Sequence, residues 1–419
     1  MNNFEVVIIG SGPAGLGAAF GLLEKGCSSV LMIEKRSISS GGLRNDCKQN
    51  YTYPVGFPEL FWTKDEAENE LVNVERYLNP RITEKKNLEV YKKRAAVLGV
   101  DLLDIRQAHV GTDKAPALIN SLMQQLEEGG ITVWRDTDAL AINYEERLVY
   151  LKNGKKVGFK YVIAAPGRAG FNWLQDVMKK NGIGFSDNSV DIGIRVECSS
   201  ENYPIVKDYY DPKFVFPYKV RSFCTNSGAA HVVKEKYEHY YSVNGHSLSR
   251  KNSPNNLVNF AMLKTIELTD PVASGQYFAQ VLGQMAMQLA GGQPMMQRVG
   301  DFRLGKRSNS KTFNGDLYDF KPTLVTATPG DLALAVPAKI LRHIWSSLKM
   351  LDTIIPGVLH PSTILYYPEI KTYANRPVFI NRFFEVKENM FMVGDGAGTS
   401  RGITAAWCSG ARAAKKITG

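Results

Sequence analysis

Gly10, Gly12 and Gly15 stand at G-x-G-x-x-G spacing, a pattern whose chemistry is the cradling of a pyrophosphate by backbone N–H groups. Gly10 permits the tight turn, Gly12 lets the main chain approach the phosphates, and Gly15 lets the following helix pack closely. Pro13 and Ala14 lie within the motif and are expected cofactor contacts with the three glycines. Glu34 lies 19 residues beyond Gly15, about where a carboxylate accepts hydrogen bonds from an adenosine ribose. An acid there suits a ribose without a 2′-phosphate, so the motif points to NAD or FAD rather than NADP. Near the far end, Gly394-Asp395-Gly396-Ala397-Gly398 and Gly402-Ile403-Thr404 form a second glycine-rich approach to a helix.

The elements that must position these residues are legible in the hydrophobic pattern. Residues 4–9 (FEVVII) are a short apolar, β-branched run of the kind that forms a buried parallel strand. Residues 16–25 then predict a helix with small residues on one face, its positive end toward the phosphates, and 30–33 a second strand. A polar loop over 37–50 follows, long enough to suggest a role beside the cofactor. Helical periods cover 63–78, 84–98 and 113–128, and 131–134 reads as a strand. The alternating segment 136–151, the Asn153-Gly154 turn and the run 161–165 ending at Pro166-Gly167 predict a β-meander that leads into a buried strand. From about residue 190 the texture changes to strands at 190–197, 213–223 and 257–268, with helices at 272–289 and 331–351. Residues 390–393 return as a short strand, and 402–416 as a small-residue helix. The expected fold is α/β: a Rossmann-like FAD-binding domain, residues 1–188 and 356–419, with an inserted mixed α+β substrate domain, residues 189–355.

Composition narrows the class. Hydrophobic content of 44% and charged content of 22% over 419 residues are those of a globular chain with a real core. The longest apolar runs are far too short to cross a bilayer, no secretory signal pattern opens the sequence, and a cytoplasmic location is expected. The five cysteines and six histidines are scattered, with no spacing for a disulfide framework, a zinc ribbon or a metal site. A net charge of +10 favours anionic partners, either a small anionic substrate or nucleic acid.

The segments IIGSGPAGLGAA, VDIGIRVE, FCTNSGA with VNGHSLSRKNSPN, TPGDL and VGDGAGTSRGITAAWCSGARAA together resemble the two-domain FAD-dependent dehydrogenase family, largely uncharacterised flavoproteins with a glutathione-reductase-type FAD domain. The resemblance implies FAD, with Asp395 on the ribityl chain and pyrophosphate, and Gly402, Ile403 and Thr404 at the pyrimidine edge of the flavin. A helix N-terminus there would stabilise the charge of reduced flavin. Lys35, Gly42, Gly167 and Gly394 complete the expected cofactor contacts. The loop after the second strand departs from the family's Gly-Ser-Asp-Gly-Lys-like run; it reads GGLRNDCKQN, and Asp46 and Lys48 hold those places. There is no second G-x-G-x-x-G and no C-x-x-C, so reductant does not come through a pyridine-nucleotide-disulfide arrangement.

Candidate catalytic residues are Lys48, on the loop expected to cover the flavin, Arg195, His246 and Arg307. Arg195 sits inside an apolar strand, where a guanidinium needs an anionic partner, with Asp191 and Glu197 the nearest acids. His246 lies in an apparent loop and suits acid–base work. Arg307, with Arg298, Arg303 and Lys306, forms a basic stretch suited to phosphate, and Arg401 precedes the flavin-facing turn. Cys224 reads as a small packed residue. The leading expectation is an FAD-dependent oxidoreductase exchanging a hydride at flavin N5 with an anionic substrate. The alternatives are a flavoenzyme that modifies a nucleic-acid base or its amino-acid-like substituent, and a non-catalytic flavin-binding protein.

Overall fold

The computed structural model describes residues 2–38, 41–44, 47–237, 239–248, 254–267, 274–315, 318, 320–372 and 375–419. The chain divides into two compact units, one formed by residues 1–82, 105–188 and 373–419 and the other by 83–104 and 189–372. The sequence pattern placed the return to the first unit at 356 and missed the excursion of 83–104. Both segments pair with the second unit's sheet or pack on its helices: Asp101–Leu102 joins that sheet at its edge, and Ile364–Thr372 is one of its central strands.

In the first unit, β1 (Asn2–Ile9) runs parallel to β2 (Val30–Ile33) on one side and to β8 (Lys156–Ala164) on the other. Strand β5 (Thr132–Trp134) continues the sheet beyond β2, and β16 (Met390–Met392) continues it beyond β8, both parallel. Strand β15 (Glu385–Lys387) closes that edge, antiparallel to β16. The anticipated meander is β6 (Ala139–Asn143), β7 (Leu148–Leu151) and β8, each antiparallel to the next. Val6, Val7 and Ile8 have no solvent exposure, as expected of a strand covered on both faces.

Helix α1 (Pro13–Glu24) and the last helix, α4 (Ile403–Thr418), pack backbone to backbone. A Cβ on Gly410 would stand 1.8 Å from the Ala14 carbonyl oxygen, and one on Gly17 would stand 2.1 Å from that of Trp407. The small-residue faces read from sequence are therefore each other's partners. Trp407 stacks on Phe20 at 5.4 Å and on Tyr77 at 5.5 Å, filling the space beside the close crossing.

In the second unit the sheet centre runs β13 (Met295–Arg298), β14 (Ile364–Thr372), β9 (Val190–Ser199), β12 (Leu257–Ile266) and β10 (Val220–Lys236). Strand β11 (Tyr241–Leu248) pairs with β10 in a long hairpin. His246, expected in a loop, is a strand residue facing His231 across that hairpin. Helices α2 (Gly275–Leu289) and α3 (Ala338–Ile354) line the unit's core. The single helix anticipated over 331–351 is broken: Leu332–Ala335 ends before Pro337, which caps α3, because proline cannot continue a helix from its interior. Among the described residues no helix is long and apolar enough to cross a membrane.

Gly410→Ala is expected to lower stability by roughly 1–3 kcal/mol, since the added methyl overlaps backbone that has no room to yield. Urea unfolding measures this; a midpoint unchanged from wild type would contradict the helix contact.

Candidate functional site

The first unit concentrates the predicted cofactor residues at the ends of β1, β2, β8 and β16. Gly10 has φ +101°, and a Cβ on it would lie 2.3 Å from the Ala165 carbonyl oxygen. Gly15 is seated 1.9 Å, by the same measure, from the Gly10 carbonyl oxygen. Gly12 differs: nothing lies within 4 Å of the position its Cβ would take. The turn is thus clamped at Gly10 and Gly15 and open at Gly12, where a pyrophosphate needs access. Gly12 is the N-cap of α1, Pro13 fills its first turn, and no side chain caps that end.

Glu34 directly follows β2 and is 4% exposed. One carboxylate oxygen accepts the Ser11 N–H at 3.1 Å and the Ser11 hydroxyl at 2.5 Å, and the other accepts the Arg36 N–H at 2.9 Å. These bonds tie the acid to the glycine turn and leave it lone-pair capacity for a ribose hydroxyl. Lys35 is turned to the surface, 3.1 Å from Asp138.

The second approach is built by the loop between β16 and α4. A Cβ on Gly394 (φ +84°) would meet Ala14 Cβ at 2.9 Å, and one on Gly396 would meet the Gly167 carbonyl at 2.4 Å. The Gly394 N–H donates to Thr399 Oγ1 at 2.8 Å and to Ser409 Oγ at 3.0 Å. Asp395 accepts the Ser400 hydroxyl at 2.8 Å and the Gly402 N–H at 3.1 Å. Burial pushes the Asp395 carboxyl above its usual range, although the Arg168 charge and these two donors pull it back. Gly402 (φ +94°) is the N-cap of α4 and has nothing within 4 Å of its Cβ position; its own N–H is held by Asp395, and it has no side chain to cap the N–H groups that follow.

The segment 47–57 closes on the start of α4. The Thr404 hydroxyl donates to the Asn50 carbonyl at 2.5 Å, and the Arg401 N–H donates to the Gly56 carbonyl at 2.7 Å. Lys48 lies in β3 (Lys48–Asn50), which pairs antiparallel with β4 (Gln107–His109), two residues from Asn50 and therefore on the same face of that short strand. A Cβ on Gly42 would touch Ile403 at 3.4 Å. Asp46 lies outside the described residues.

Two helix N-termini, each with a glycine at the N-cap that leaves its approach open, suit the pyrophosphate and the pyrimidine edge of FAD. Sequence reading missed what holds this loop in place. The Trp62 indole N–H donates to the Thr399 carbonyl at 2.9 Å, and Arg412 lies 3.5 Å over the Trp62 ring while donating to the Phe61 carbonyl at 2.7 Å. Only the helical spacing of Arg412 among small residues hinted at burial.

The remaining candidates belong to the second unit. Arg195 and Glu369 have no side-chain exposure and form a bidentate pair at 2.7 and 2.9 Å. Arg195 also donates to Asn259 Oδ1 at 2.7 Å. Burial pulls the guanidinium pKa down, but the Glu369 charge and hydrogen bonds override it and hold the group above its ordinary value. The partner is neither Asp191, which pairs with Arg221, nor Glu197, which accepts from Tyr366 and Thr323. A β-bulge between Gly193 and Arg195 shifts the register against β14, so same-strand alternation did not identify the partner. Lys371 extends the network, 3.3 Å from Glu369 and 3.0 Å from Glu235.

Arg298 is 1% exposed. Its guanidinium lies 5.0, 4.8 and 5.0 Å from the rings of Phe313, Tyr318 and Phe320, so it is a core cation and not part of a surface phosphate site. Arg307 is exposed and donates to the Pro329 carbonyl at 3.4 Å. Cys224 adopts φ +50°, and its carbonyl accepts from Arg195.

Comparison with known proteins follows this division. A family described as "FAD-dependent protein, C-terminal domain-like" matches residues 202–372, ending where the second unit ends, and the NAD(P)-binding Rossmann-like domain matches residues 8–73. No curated protein matches the sequence. Similar solved structures include a flavoprotein/dehydrogenase from Cytophaga hutchinsonii, 12% identical, covering 100% of this chain and 78% of that one with a TM-score of 0.44. Glycine oxidase from Geobacillus kaustophilus is 10% identical, covering 100% and 94%, TM-score 0.44. L-proline dehydrogenase from P. horikoshii is 13% identical, covering 99% and 93%, TM-score 0.45.

Two outcomes are expected. Glu369→Ala strands a buried guanidinium and should cost about 3–5 kcal/mol, whereas the double change Arg195→Met with Glu369→Leu should cost clearly less; equal losses in urea unfolding would contradict the pairing. A carboxyl whose folded pKa is raised favours the fold fully below its unfolded pKa and loses that contribution as pH rises through the folded value. Wild type should therefore lose stability relative to Asp395→Asn as pH rises above about 4, measured without added flavin. A pH-independent difference would contradict it.

Proposed function

We propose that this chain, an FAD-dependent oxidoreductase of the two-domain flavoprotein dehydrogenase family, acts on a small anionic substrate. When bound, FAD supplies the position, N5, at which a hydride is accepted or given. The observation that carries the reading is the convergence of two helix N-termini with open glycine N-caps on one side of a parallel sheet, locked together by the Gly17 and Gly410 crossing.

The backbone from Gly10 to Gly15 holds the pyrophosphate and Glu34 holds the adenosine ribose. Asp395 holds the ribityl chain, with Gly394 and Gly167 keeping its loop in register. The turn at Gly402 opens the way for the Ile403 and Thr404 N–H donors to reach the pyrimidine edge, where the helix dipole favours negative charge. On this reading Lys48 and Arg401, from the two segments that meet at the start of α4, orient the anionic substrate; the contact of those segments and the surplus of basic residues support it.

Anaerobic reduction tests the reading with amino acids, 2-hydroxy acids and phosphorylated analogues, each beside its neutral amide or ester. Loss of the visible flavin absorbance with the anionic member of a pair and not the neutral one is expected. Lys48→Ala should raise the substrate's KM about tenfold, the equivalent of roughly 1.4 kcal/mol, with flavin content unchanged. Equal bleaching by neutral analogues would contradict the anion requirement.

A further inference from the structure

Helix α3 has two faces of opposite character. Ile340, Ile344, Leu348, Leu351 and Ile354 are buried. On the other side Lys339, Arg342 and Lys349 are exposed, and their spacing of three and seven residues places them on one stripe of the helix. At 1.5 Å per residue the stripe extends about 15 Å, more than a single phosphate group occupies.

Beside this stripe the chain brings up an aromatic ring and two more cations. Tyr218 is 59% exposed and stacks on His343 of α3, ring centroids 4.6 Å apart and planes 15° apart. Both Tyr218 and Lys219 take left-handed backbone conformations, φ +65° and +57°, an arrangement that costs a non-glycine residue energy. The Tyr218 carbonyl is held by Lys264 Nζ at 2.6 Å. Lys264 is 8% exposed; burial lowers its pKa, and the charges of Lys339 and Lys219 lower it further. His343 is likewise depressed by burial and by Lys264, Lys339 and Arg342, and its Nδ1 is buried with no hydrogen-bond partner among the described residues. The acid of the group is Glu267, paired with Lys219. Cations crowded until they repel one another, around a ring with an open face, form a surface whose missing partner is an anion that also stacks.

We propose that the exposed face of α3, with Tyr218 and Lys219, docks single-stranded nucleic acid: a base stacks on Tyr218, which Lys264 holds from below, while the backbone follows Lys339, Arg342 and Lys349. Stacking on an aromatic ring beside a cationic track is the recurrent means of binding single strands without sequence preference, and the chain's charge of +10 complements a polyanion. The proposal concerns docking on the second unit and is independent of the substrate reading above.

The test is fluorescence anisotropy of a labelled oligothymidylate with the full-length, flavin-loaded protein between low and physiological salt. With about four phosphates neutralised, log K should fall with log salt at a slope of about −3. Lys339→Glu with Arg342→Glu should weaken binding at least tenfold and roughly halve the slope. Tyr218→Ala should weaken the oligonucleotide about tenfold while leaving inorganic polyphosphate binding unchanged. A far-ultraviolet circular dichroism spectrum and a thermal unfolding midpoint equal to wild type show that each variant is folded. Absence of salt-dependent binding at low salt, wild-type affinity in the charge-reversed variant, or equal loss of polyphosphate and oligonucleotide binding in Tyr218→Ala would each overturn the proposal. So would anionic lipid vesicles that bind the protein while the oligonucleotide does not.

Discussion

The close crossing of α1 and α4 is the constraint on which the first unit depends. Helices normally approach no nearer than 8–10 Å between axes because side chains intervene; Gly17 and Gly410 remove the Cβ atoms that would prevent a closer contact. Because α1 follows the Gly10–Gly15 turn and α4 follows the Gly394–Gly402 loop, fixing the helices fixes both loops. Each loop is in turn pinned to the end of β8: Gly10 against Ala165, Gly396 against Gly167. A chain nearly four hundred residues apart in sequence is drawn into one cradle by contacts that are mostly backbone on backbone.

Around that constraint the polar groups fall into two kinds. Some are spent inside the protein: Arg195 with Glu369, Arg298 among aromatic rings, Arg412 over Trp62. Arg195 and Arg412 meet the carboxylates of Glu369 and Glu66, whereas Arg298 is held by the Ser362 and Phe320 carbonyls and by aromatic rings, its Nε without a partner among the described residues. Others are positioned but keep capacity for a ligand: Glu34 is tied to Ser11 and Arg36, and Asp395 to Ser400 and Gly402, while both helix ends have an open glycine at the N-cap. The cofactor site is drawn from the second kind.

The sequence made the Rossmann core legible because its signals are local: an apolar run, a glycine turn and an acid at fixed spacing. Gly394, Asp395 and Gly402 were legible for the same reason. Arg195 shows where legibility ended. Its strand was recognised and its need for a partner deduced, but Glu369 lies 174 residues away on a strand whose register is shifted by a bulge. His246 was misplaced because Asn244, Gly245 and Ser247 resemble a loop, while tertiary pairing with β10 makes them a strand. Residues 83–104 and 364–372 joined the second unit through strand pairing that no local pattern announces.

The central claim is that the two glycine loops and Glu34 together hold FAD. Heat release of the nucleotide from purified protein, followed by its chromatographic and mass identification, tests this most directly. The account predicts FAD at about one per chain in the wild type and little retained in Glu34→Ala. FMN or NAD in its place, or FAD retained undiminished after Glu34→Ala, would contradict it.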